Sequence, residues 1–193
     1  MPSQYFSQNM AVMEKIFPLL AGEISKAKDG SELKIETASS GAATLLLGGV
    51  YIHSKRDPER EAERLVEAGG TSGGESPALV LGFGLGYSAL ALTKKFPDRP
   101  IIIVEKRVDI LKKALEIRDL RPFLSRRQLV FVLDSEGVTG ALALFRSNPG
   151  VPPLVLWNRA LTSLDEEWYA TAEDKIRTWN SRTNVNRATT RRF

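Results

Sequence analysis

The clearest fold signal in this sequence is Leu79-Val80-Leu81-Gly82-Phe83-Gly84-Leu85-Gly86-Tyr87. A short aliphatic run ends in three alternating glycines, and an amphipathic segment that begins at Tyr87 follows. Glycine lets the backbone of such a turn approach another group closely, and the first turn of the following helix presents free N–H groups. The pattern therefore predicts the first strand, turn and helix of a parallel α/β sheet.

From Ala78 onward, short aliphatic strands alternate with amphipathic helices, as in βαβ units that are covered on both faces. The predicted strands are 78–82, 101–105, 129–133 and 154–157, and the helices between them are 87–95, 108–118 and 138–146. A Ser-x-x-Glu capping box at Ser163 predicts a last helix, which carries inward Leu164, Trp168, Ala172, Ile176 and Trp179. Right-handed crossovers then give a Rossmann-like α/β fold, an open parallel sheet of order 3-2-1-4 with its crevice between the first and fourth strands.

The N-terminal third is predicted to form an accessory layer. Residues 8–28 have one apolar helix face, which Pro18 is expected to kink or split. Asp57 and Pro58 provide the N-cap and first residue of a further helix that runs to Ala68. Between these helices we predict a small antiparallel β-meander, with strands 33–37, 44–47 and 50–53 and the hairpin turn Gly48-Gly49. The resulting division is 1–70 for the accessory layer, 77–180 for the Rossmann-like domain and 181–193 for a basic tail or linker.

Composition excludes several classes of protein. The chain has 193 residues, 42% hydrophobic and 26% charged, with a formal net charge of +4, which is typical of a single soluble domain. It has no cysteine and one histidine, His53, so disulfide frameworks, thiolate zinc and two-histidine metal motifs are excluded. Because neither a bilayer-spanning run nor a signal peptide is present, we expect a cytoplasmic protein with no membrane partner.

The positive charge is concentrated towards the C-terminal end. Between Lys175 and Phe193 there is no acidic residue, whereas six residues are basic: Lys175, Arg177, Arg182, Arg187, Arg191 and Arg192. Such a segment can contact phosphates, but a solvated helix end or an interdomain connector commonly has the same composition. We therefore do not expect a nucleic-acid partner.

The candidate ligand site consists of the glycine turn and two acidic residues. Glu105 closes the second strand, 19 residues after Gly86, where a carboxylate can accept hydrogen bonds from ribose hydroxyls. The dinucleotide fingerprint G-x-G-x-x-G fails because its last position is Tyr87. The G-x-G-x-G form, with Asp134 just past the third strand, resembles the S-adenosylmethionine-dependent methyltransferases. That resemblance implies that Gly82, Gly84 and Gly86 meet the methionine end of the cofactor, Glu105 the ribose and Asp134 the adenine edge.

These residues predict that a nucleoside-type ligand, such as S-adenosylmethionine, lies over the glycines, with Glu105 at a surface position. The methyltransferase-like core looks incomplete as an enzyme, however. The fourth strand ends Trp157-Asn158-Arg159-Ala160, not in an Asn/Asp-Pro-Pro-aromatic motif, and only one more helix follows. The sequence shows no metal ligand set, no base–nucleophile pair and no phosphate-binding lysine motif, so we assign no catalytic residues.

A second resemblance covers residues 10–193. The segments 53–65, 82–87 and 116–120, together with Glu105, resemble the N-terminal domain of the motility-associated-factor (Maf) family. That family contains bacterial glycosyltransferases that attach nonulosonic acids such as pseudaminic acid to flagellin. Residues 184–193 resemble the point at which the family's central domain begins, where the transferase chemistry is thought to lie.

The resemblance to the Maf family implies a non-catalytic or nucleotide-binding module whose partners are a downstream catalytic domain and flagellin. A small S-adenosylmethionine-dependent methyltransferase is the alternative. The two interpretations differ in whether the glycine turn holds a cofactor, and the residues leave both open.

Several other side chains could take part in catalysis or binding, but each also has a structural explanation. His53 beside Ser54 can act as a general base, but a lone histidine at such a turn more often forms local hydrogen bonds. Ser54 has no second histidine and no nucleophile-elbow motif, which disfavours a hydrolase triad. Trp157 and Asn158 end the fourth strand beside the predicted crevice and are candidate pocket walls, whereas Trp168 and Trp179 are expected in the core.

Overall fold

The computed structural model describes residues 4–28, 30, 32–70, 76–145 and 151–190, with side chains up to residue 181. The helices are α1 (Gln4–Ile16), α2 (Pro18–Lys26), α3 (Pro58–Ala68), α4 (Tyr87–Lys95), α5 (Val108–Ile117), α6 (Arg121–Leu124), α7 (Val138–Ala143), α8 (Arg159–Thr162) and α9 (Glu166–Thr190). The strands are β1 (Leu33–Thr37), β2 (Ala43–Leu47), β3 (Val50–Tyr51), β4 (Ala78–Leu81), β5 (Ile101–Val104), β6 (Leu129–Val132) and β7 (Leu154–Trp157). Short 3₁₀ turns at Ser135–Gly137 and Ser163–Asp165 precede α7 and α9.

The four predicted parallel strands form one sheet, and β1 to β3 form a separate antiparallel sheet. The predicted strand order, 3-2-1-4, needs a correction. When the strands are numbered along the whole chain, the order in the parallel sheet is β6-β5-β4-β7. The labels differ because the three strands of the antiparallel sheet come first in the chain. If only the parallel strands are counted, starting with β4, their order across the sheet is third, second, first and fourth. The crevice therefore lies where β4 meets β7.

Alternate residues of the central strands face two different cores. Ala78 and Val80 pack with α1 to α5, whereas Leu79 and Leu81 pack with α7 and α9. All four residues of β4 and all four of β5 are buried. Because both faces of these strands are covered by helices, a continuous aliphatic run folds here as a central parallel strand.

The N-terminal helical segment is split at Phe17, and Pro18 occupies the first position of α2. This helix pair is fixed to the rest of the fold by Asn9, whose side chain is fully buried. The Asn9 amide donates to the carbonyls of Leu115 and Arg118 at 2.8 and 2.7 Å, and its oxygen accepts the Leu120 amide hydrogen at 2.9 Å. Asn9 therefore satisfies backbone groups at the end of α5 that the helix itself leaves unpaired.

The antiparallel sheet brings His53 to the carboxyl edge of the parallel sheet. Its hairpin turn is as predicted, with positive φ angles of 55° at Gly48 and 84° at Gly49. The third strand ends two residues earlier than predicted, at Tyr51, and the chain then turns towards the glycines. The Thr44 hydroxyl holds that bend by donating to the His53 carbonyl at 2.9 Å.

The start of the C-terminal helical region differs from the prediction. Ser163 caps no helix, because helical structure already begins at α8, where the Asn158 side chain accepts the Leu161 amide hydrogen at 3.2 Å. Ala172 and Ile176 are buried as expected, whereas Trp168 and Trp179 are half-buried against the same core. The fully packed aromatic residue on this helix is Tyr169, which was not predicted.

The remaining boundaries are close to those predicted. Helix α7 ends at Ala143, three residues before the predicted end: Leu144 and Phe145 are not helical, and residue 146 lies outside the described residues. Residues 71–75 of the predicted linker also lie outside them, and the described part of the segment 181–193 continues α9. The division into an accessory layer, a Rossmann-like domain and a tail stays a prediction. Among the described residues, no helix has both the length and the apolarity that a membrane crossing requires.

Candidate functional site

The glycine turn, residues 82–86, lies at the carboxyl end of β4, with Gly86 as the N-cap of α4. Gly82, Gly84 and Gly86 have φ angles of 82°, 55° and 81°, in the left-handed region that favours glycine. A Cβ atom on Gly84 would lie 2.4 Å from Nε2 of His53. The turn therefore needs glycine both for its backbone conformation and because another part of the chain packs directly against it.

Glu105 follows β5 and is fully buried, which corrects the expected surface position. Its Oε2 accepts the Phe83 amide hydrogen at 2.8 Å, and its Oε1 accepts the Arg107 amide hydrogen at 2.9 Å. The Tyr169 hydroxyl donates to Oε1 at 3.3 Å from the opposite layer. The carboxylate thus ties the glycine turn, the end of β5 and α9 together, and it has no exposed surface for a ribose.

Burial raises the pKa of Glu105 to about 7, even though backbone amides of Arg107, Phe83 and Gly84 and the Tyr169 hydroxyl act in the opposite direction. Desolvation penalises the charged form more than these donors stabilise it. Burial likewise raises the pKa of Tyr169, and the nearby Glu105 charge adds to this effect. Both groups are therefore largely protonated in the acidic range, where the unfolded chain would ionise Glu105.

His53 is the second internal partner of the turn. Its Nε2 accepts the Leu85 amide hydrogen at 2.8 Å, and its ring packs edge-on against Tyr87 with 5.0 Å between centroids. Burial, together with the charge of Arg118, lowers the pKa of His53 to about 3. A neutral ring with so low a pKa is a weak base at neutral pH, so the structural interpretation of His53 is the better supported one.

These contacts occupy three amide donors within the glycine turn. The Phe83 amide donates to Glu105, the Leu85 amide to His53 and the Gly86 amide to the Phe83 carbonyl at 2.9 Å. A Cβ atom on Gly82 would lie 3.1 Å from Cβ of Asn158, so the turn is also packed from the β7 side. In this conformation the chain fills the site of the glycine motif with its own side chains.

The other predicted site residues have local roles. Asp134 is exposed and caps the 3₁₀ turn that follows β6, where its Oδ1 accepts the Glu136 amide hydrogen at 3.1 Å. The Ser54 hydroxyl accepts the amide hydrogens of Arg56 and Asp57 at 3.1 and 3.2 Å, as a turn residue does. Within the described ranges, no group of three or more histidine and acidic side chains is arranged to hold a metal ion. Ligand binding by the glycines, Glu105 and Asp134 stays a prediction.

A cleft of about 460 Å³ opens beside the turn, over the carboxyl ends of β4 and β7. It lies between the segment 51–55, helix α3, Ser88 near the start of α4 and the residues Trp157, Asn158 and Arg159. This is the predicted crevice, and Trp157 and Asn158 line it as expected. His53 is among the residues that line the cleft, and its Nε2 and Cε1 atoms lie against Gly84 of the turn.

Tyr169 is the functional neighbour of Glu105 that sequence reasoning missed. Its signal was present, because Tyr169, Ala172 and Ile176 follow one another at spacings of three and four residues. The sequence pattern predicts that the adjacent Trp168 is buried, whereas the structure buries Tyr169 more fully. Tyrosine combines a large apolar ring with a hydroxyl that needs a partner, which suits the position beside a buried carboxyl.

The fold and the site together define an α/β protein with a four-stranded parallel sheet, in which the glycine turn is closed by the chain itself. No family model matches the sequence. Over 91% of its length the chain is similar in structure to a Maf glycosyltransferase from Magnetospirillum magneticum AMB-1, with a TM-score of 0.64 and 16% sequence identity. The fold-level resemblance to the Maf family that the motifs predicted is thereby confirmed.

The chain spans 36% of that glycosyltransferase chain. A protein from Treponema pallidum (strain Nichols), described only as uncharacterized, is 26% identical over 201 residues, which include 98% of this chain and 68% of the relative. The structural likeness therefore establishes the fold, and the activity of a whole glycosyltransferase comes to this chain as a proposal.

Proposed function

We propose that this chain is a non-catalytic module of a bacterial glycosyltransferase of the motility-associated-factor type. The structural likeness to a Maf glycosyltransferase and the motif segments 53–65 and 82–87 support the family. The observation that carries the non-catalytic role is the closure of the glycine turn by Glu105 and His53. A glycine turn whose Phe83, Leu85 and Gly86 amides are already paired lacks the donors with which such a turn would hold a nucleoside.

In this proposal, a separate catalytic domain binds the activated nonulosonic acid and transfers it to flagellin. The module contributes a rigid body with two cores, one on each face of its central sheet. Its rigidity follows from the buried Glu105 network, which joins the turn, β5 and α9. Such a body can position a catalytic domain or an acceptor without taking part in the chemistry.

A direct assay tests the absence of transferase activity. The chain is incubated with flagellin and a CMP-activated nonulosonic acid, with a complete Maf glycosyltransferase as the positive control. We expect the mass of flagellin to change in the control and to stay constant with this chain. Glycosylated flagellin produced by the chain alone would overturn the non-catalytic assignment.

The methyltransferase alternative needs S-adenosylmethionine on the same turn that Glu105 and His53 occupy, and no contact among the described residues favours it. Calorimetry with adenosine, the uncharged nucleoside part of that cofactor, separates the two interpretations. We expect no saturable heat of binding with adenosine. Saturable binding would instead support an adenosine-type cofactor at the turn.

A further inference from the structure

The cleft beside the glycine turn is open, although the turn itself is filled. Its volume of about 460 Å³ is within the range of small-molecule sites. It lies at the switch point of the sheet, where β4 is followed by β7 on one side and by β5 on the other. Open α/β sheets bind their ligands in that position, even when the glycine motif takes no part.

Two cations at the cleft are held on aromatic rings. The Lys55 ammonium lies 4.6 Å from the centre of the Tyr51 ring, and the Arg159 guanidinium lies 4.7 Å from the centre of the Trp157 ring. Neither cation forms an ion pair with a carboxylate among the described residues. Cation–π contacts restrict the side chains without neutralising them, so both charges remain available to an anion.

Two neutral side chains of the lining, His53 and Asn158, offer hydrogen-bond donors. Because Nε2 of His53 accepts the Leu85 amide hydrogen, the proton of the neutral ring is on Nδ1, which has no acceptor among the described residues. The Asn158 oxygen accepts from Leu161, which leaves the amide group of that side chain as a donor. The first turn of α4, where Ser88 lines the cleft, has no acidic residue.

Glu61 is the acidic residue of the lining, and one of its carboxylate oxygens already accepts a hydrogen bond from the chain. Its Oε2 accepts the Ser54 amide hydrogen at 2.8 Å, on the α3 side of the cleft. The lining therefore carries two positive charges and one negative charge, together with the His53 and Asn158 donors. A ligand that satisfies this set carries negative charge and several acceptor oxygens.

We propose that this cleft binds a small organic anion, through a carboxylate or phosphate group placed between Lys55 and Arg159. His53 has two roles in this arrangement, because it closes the glycine turn through Nε2 and also lines the cleft. The proposal does not depend on transferase chemistry, so it is tested separately from the proposed function.

Nuclear magnetic resonance of the intact chain tests the proposal, since the protein has one histidine and three tryptophans. The probes are citrate for carboxylates, pyrophosphate for phosphates and glucose as an uncharged control, all at constant ionic strength. We expect citrate, pyrophosphate or both to shift the single imidazole signal and the Trp157 indole signal saturably at millimolar concentration, and glucose to shift neither. The anion that gives the larger effect identifies the source of the negative group.

Matched variants locate the binding. Lys55 and Arg159 are exposed, so Lys55→Gln and Arg159→Gln should fold normally and weaken the anion's affinity about tenfold each, as expected for loss of a charge-assisted contact. Arg64→Gln removes the same charge from an exposed position on α3 outside the cleft lining and should leave affinity unchanged. The proposal is wrong if neither anion shifts the two signals, or if Arg64→Gln weakens binding as much as Arg159→Gln.

Discussion

The two halves of the crevice at the carboxyl edge of the sheet are built in opposite ways. Over β4 and β5, the glycine turn is paired with a buried carboxyl and a buried imidazole. Over β4 and β7, a cleft of about 460 Å³ is open and lined by two unneutralised cations. A glycine motif therefore marks a place where another group can approach the backbone closely. That group can be a ligand or another part of the same chain.

The difference predicts where substitutions act. Changes in the filled half should alter the free energy of unfolding, because every group there is paired and buried. Removal of either cation of the open half should alter anion affinity and leave stability nearly unchanged, because both cations are exposed.

Glu105→Ala should have the largest effect on stability. It leaves the amide hydrogens of Phe83 and Arg107 and the Tyr169 hydroxyl without their acceptor in a buried site. We expect the free energy of unfolding to fall by about 3 to 5 kcal/mol in chemical denaturation. Asp134→Ala is the matched control, since that exposed carboxylate also accepts a backbone amide hydrogen, and it should cost about 1 kcal/mol. Equal costs for the two variants would contradict the account.

Gly84→Ala should destabilise the chain by about 2 to 4 kcal/mol, from its φ of 55° and from the clash with His53. Gly41→Ala is the control, because Gly41 has a φ of 88° but no atom within 4 Å of a built Cβ, and it should cost about 1 kcal/mol. Adding His53→Ala removes the clash. The double variant should therefore lose less stability than the sum of the two single variants, as measured in a double-mutant cycle. If the stability losses of the two single variants add up to that of the double variant, Gly84 and His53 are not coupled by a steric contact.

The pH dependence of stability should separate Glu105 from His53. Folding raises the pKa of Glu105 from 4.5 to about 7, so its contribution to stability is lost as pH rises through that window. Folding lowers the pKa of His53 from 6.5 to about 3, so its contribution is lost as pH falls through that window. Between pH 4.5 and 6.5 the two slopes oppose each other, each at about 1 kcal/mol per pH unit.

Two variants expose these opposed slopes. In Glu105→Gln the His53 slope remains, so stability should rise with pH between 4.5 and 6.5 relative to the parent. In His53→Gln, whose amide oxygen can still accept the Leu85 hydrogen, stability should fall with pH over the same window. Denaturation at several pH values measures both, and parallel profiles for the two variants would refute the opposed titrations.

The smallest effect concerns the start of α8. Asn158→Ala removes the acceptor of the Leu161 amide hydrogen and should cost about 1 kcal/mol of unfolding free energy. Ser163→Ala, at the residue that the sequence pattern marked as a cap, should cost less than about 0.5 kcal/mol. A larger loss of stability for Ser163→Ala than for Asn158→Ala in thermal denaturation would show that Ser163 caps the helix, as the sequence pattern predicts.

The elements of the fold could be predicted because their signals are local. The strands starting at Ala78 and Ile101, the Gly48-Gly49 hairpin and the cap at Asp57 each depend on residues close together in sequence. The closure of the turn could not be predicted in the same way. His53 and Leu85 are 32 positions apart, and Tyr169 and Glu105 are 64 apart. Whether a carboxylate after a second strand faces a ribose or the backbone is decided by the layers packed around it, which no local pattern encodes.

Amide hydrogen exchange of the glycine turn shows whether Glu105 and His53 close it. If Glu105 and His53 are the partners of the turn, the amides of Phe83 and Leu85 should exchange at least about a hundredfold more slowly than in an unstructured peptide. Their rates should stay the same when S-adenosylhomocysteine or CMP is added. Rapid exchange in the free chain, followed by protection of these two amides on addition of either compound, would show that the turn is an open nucleoside site and would contradict the account.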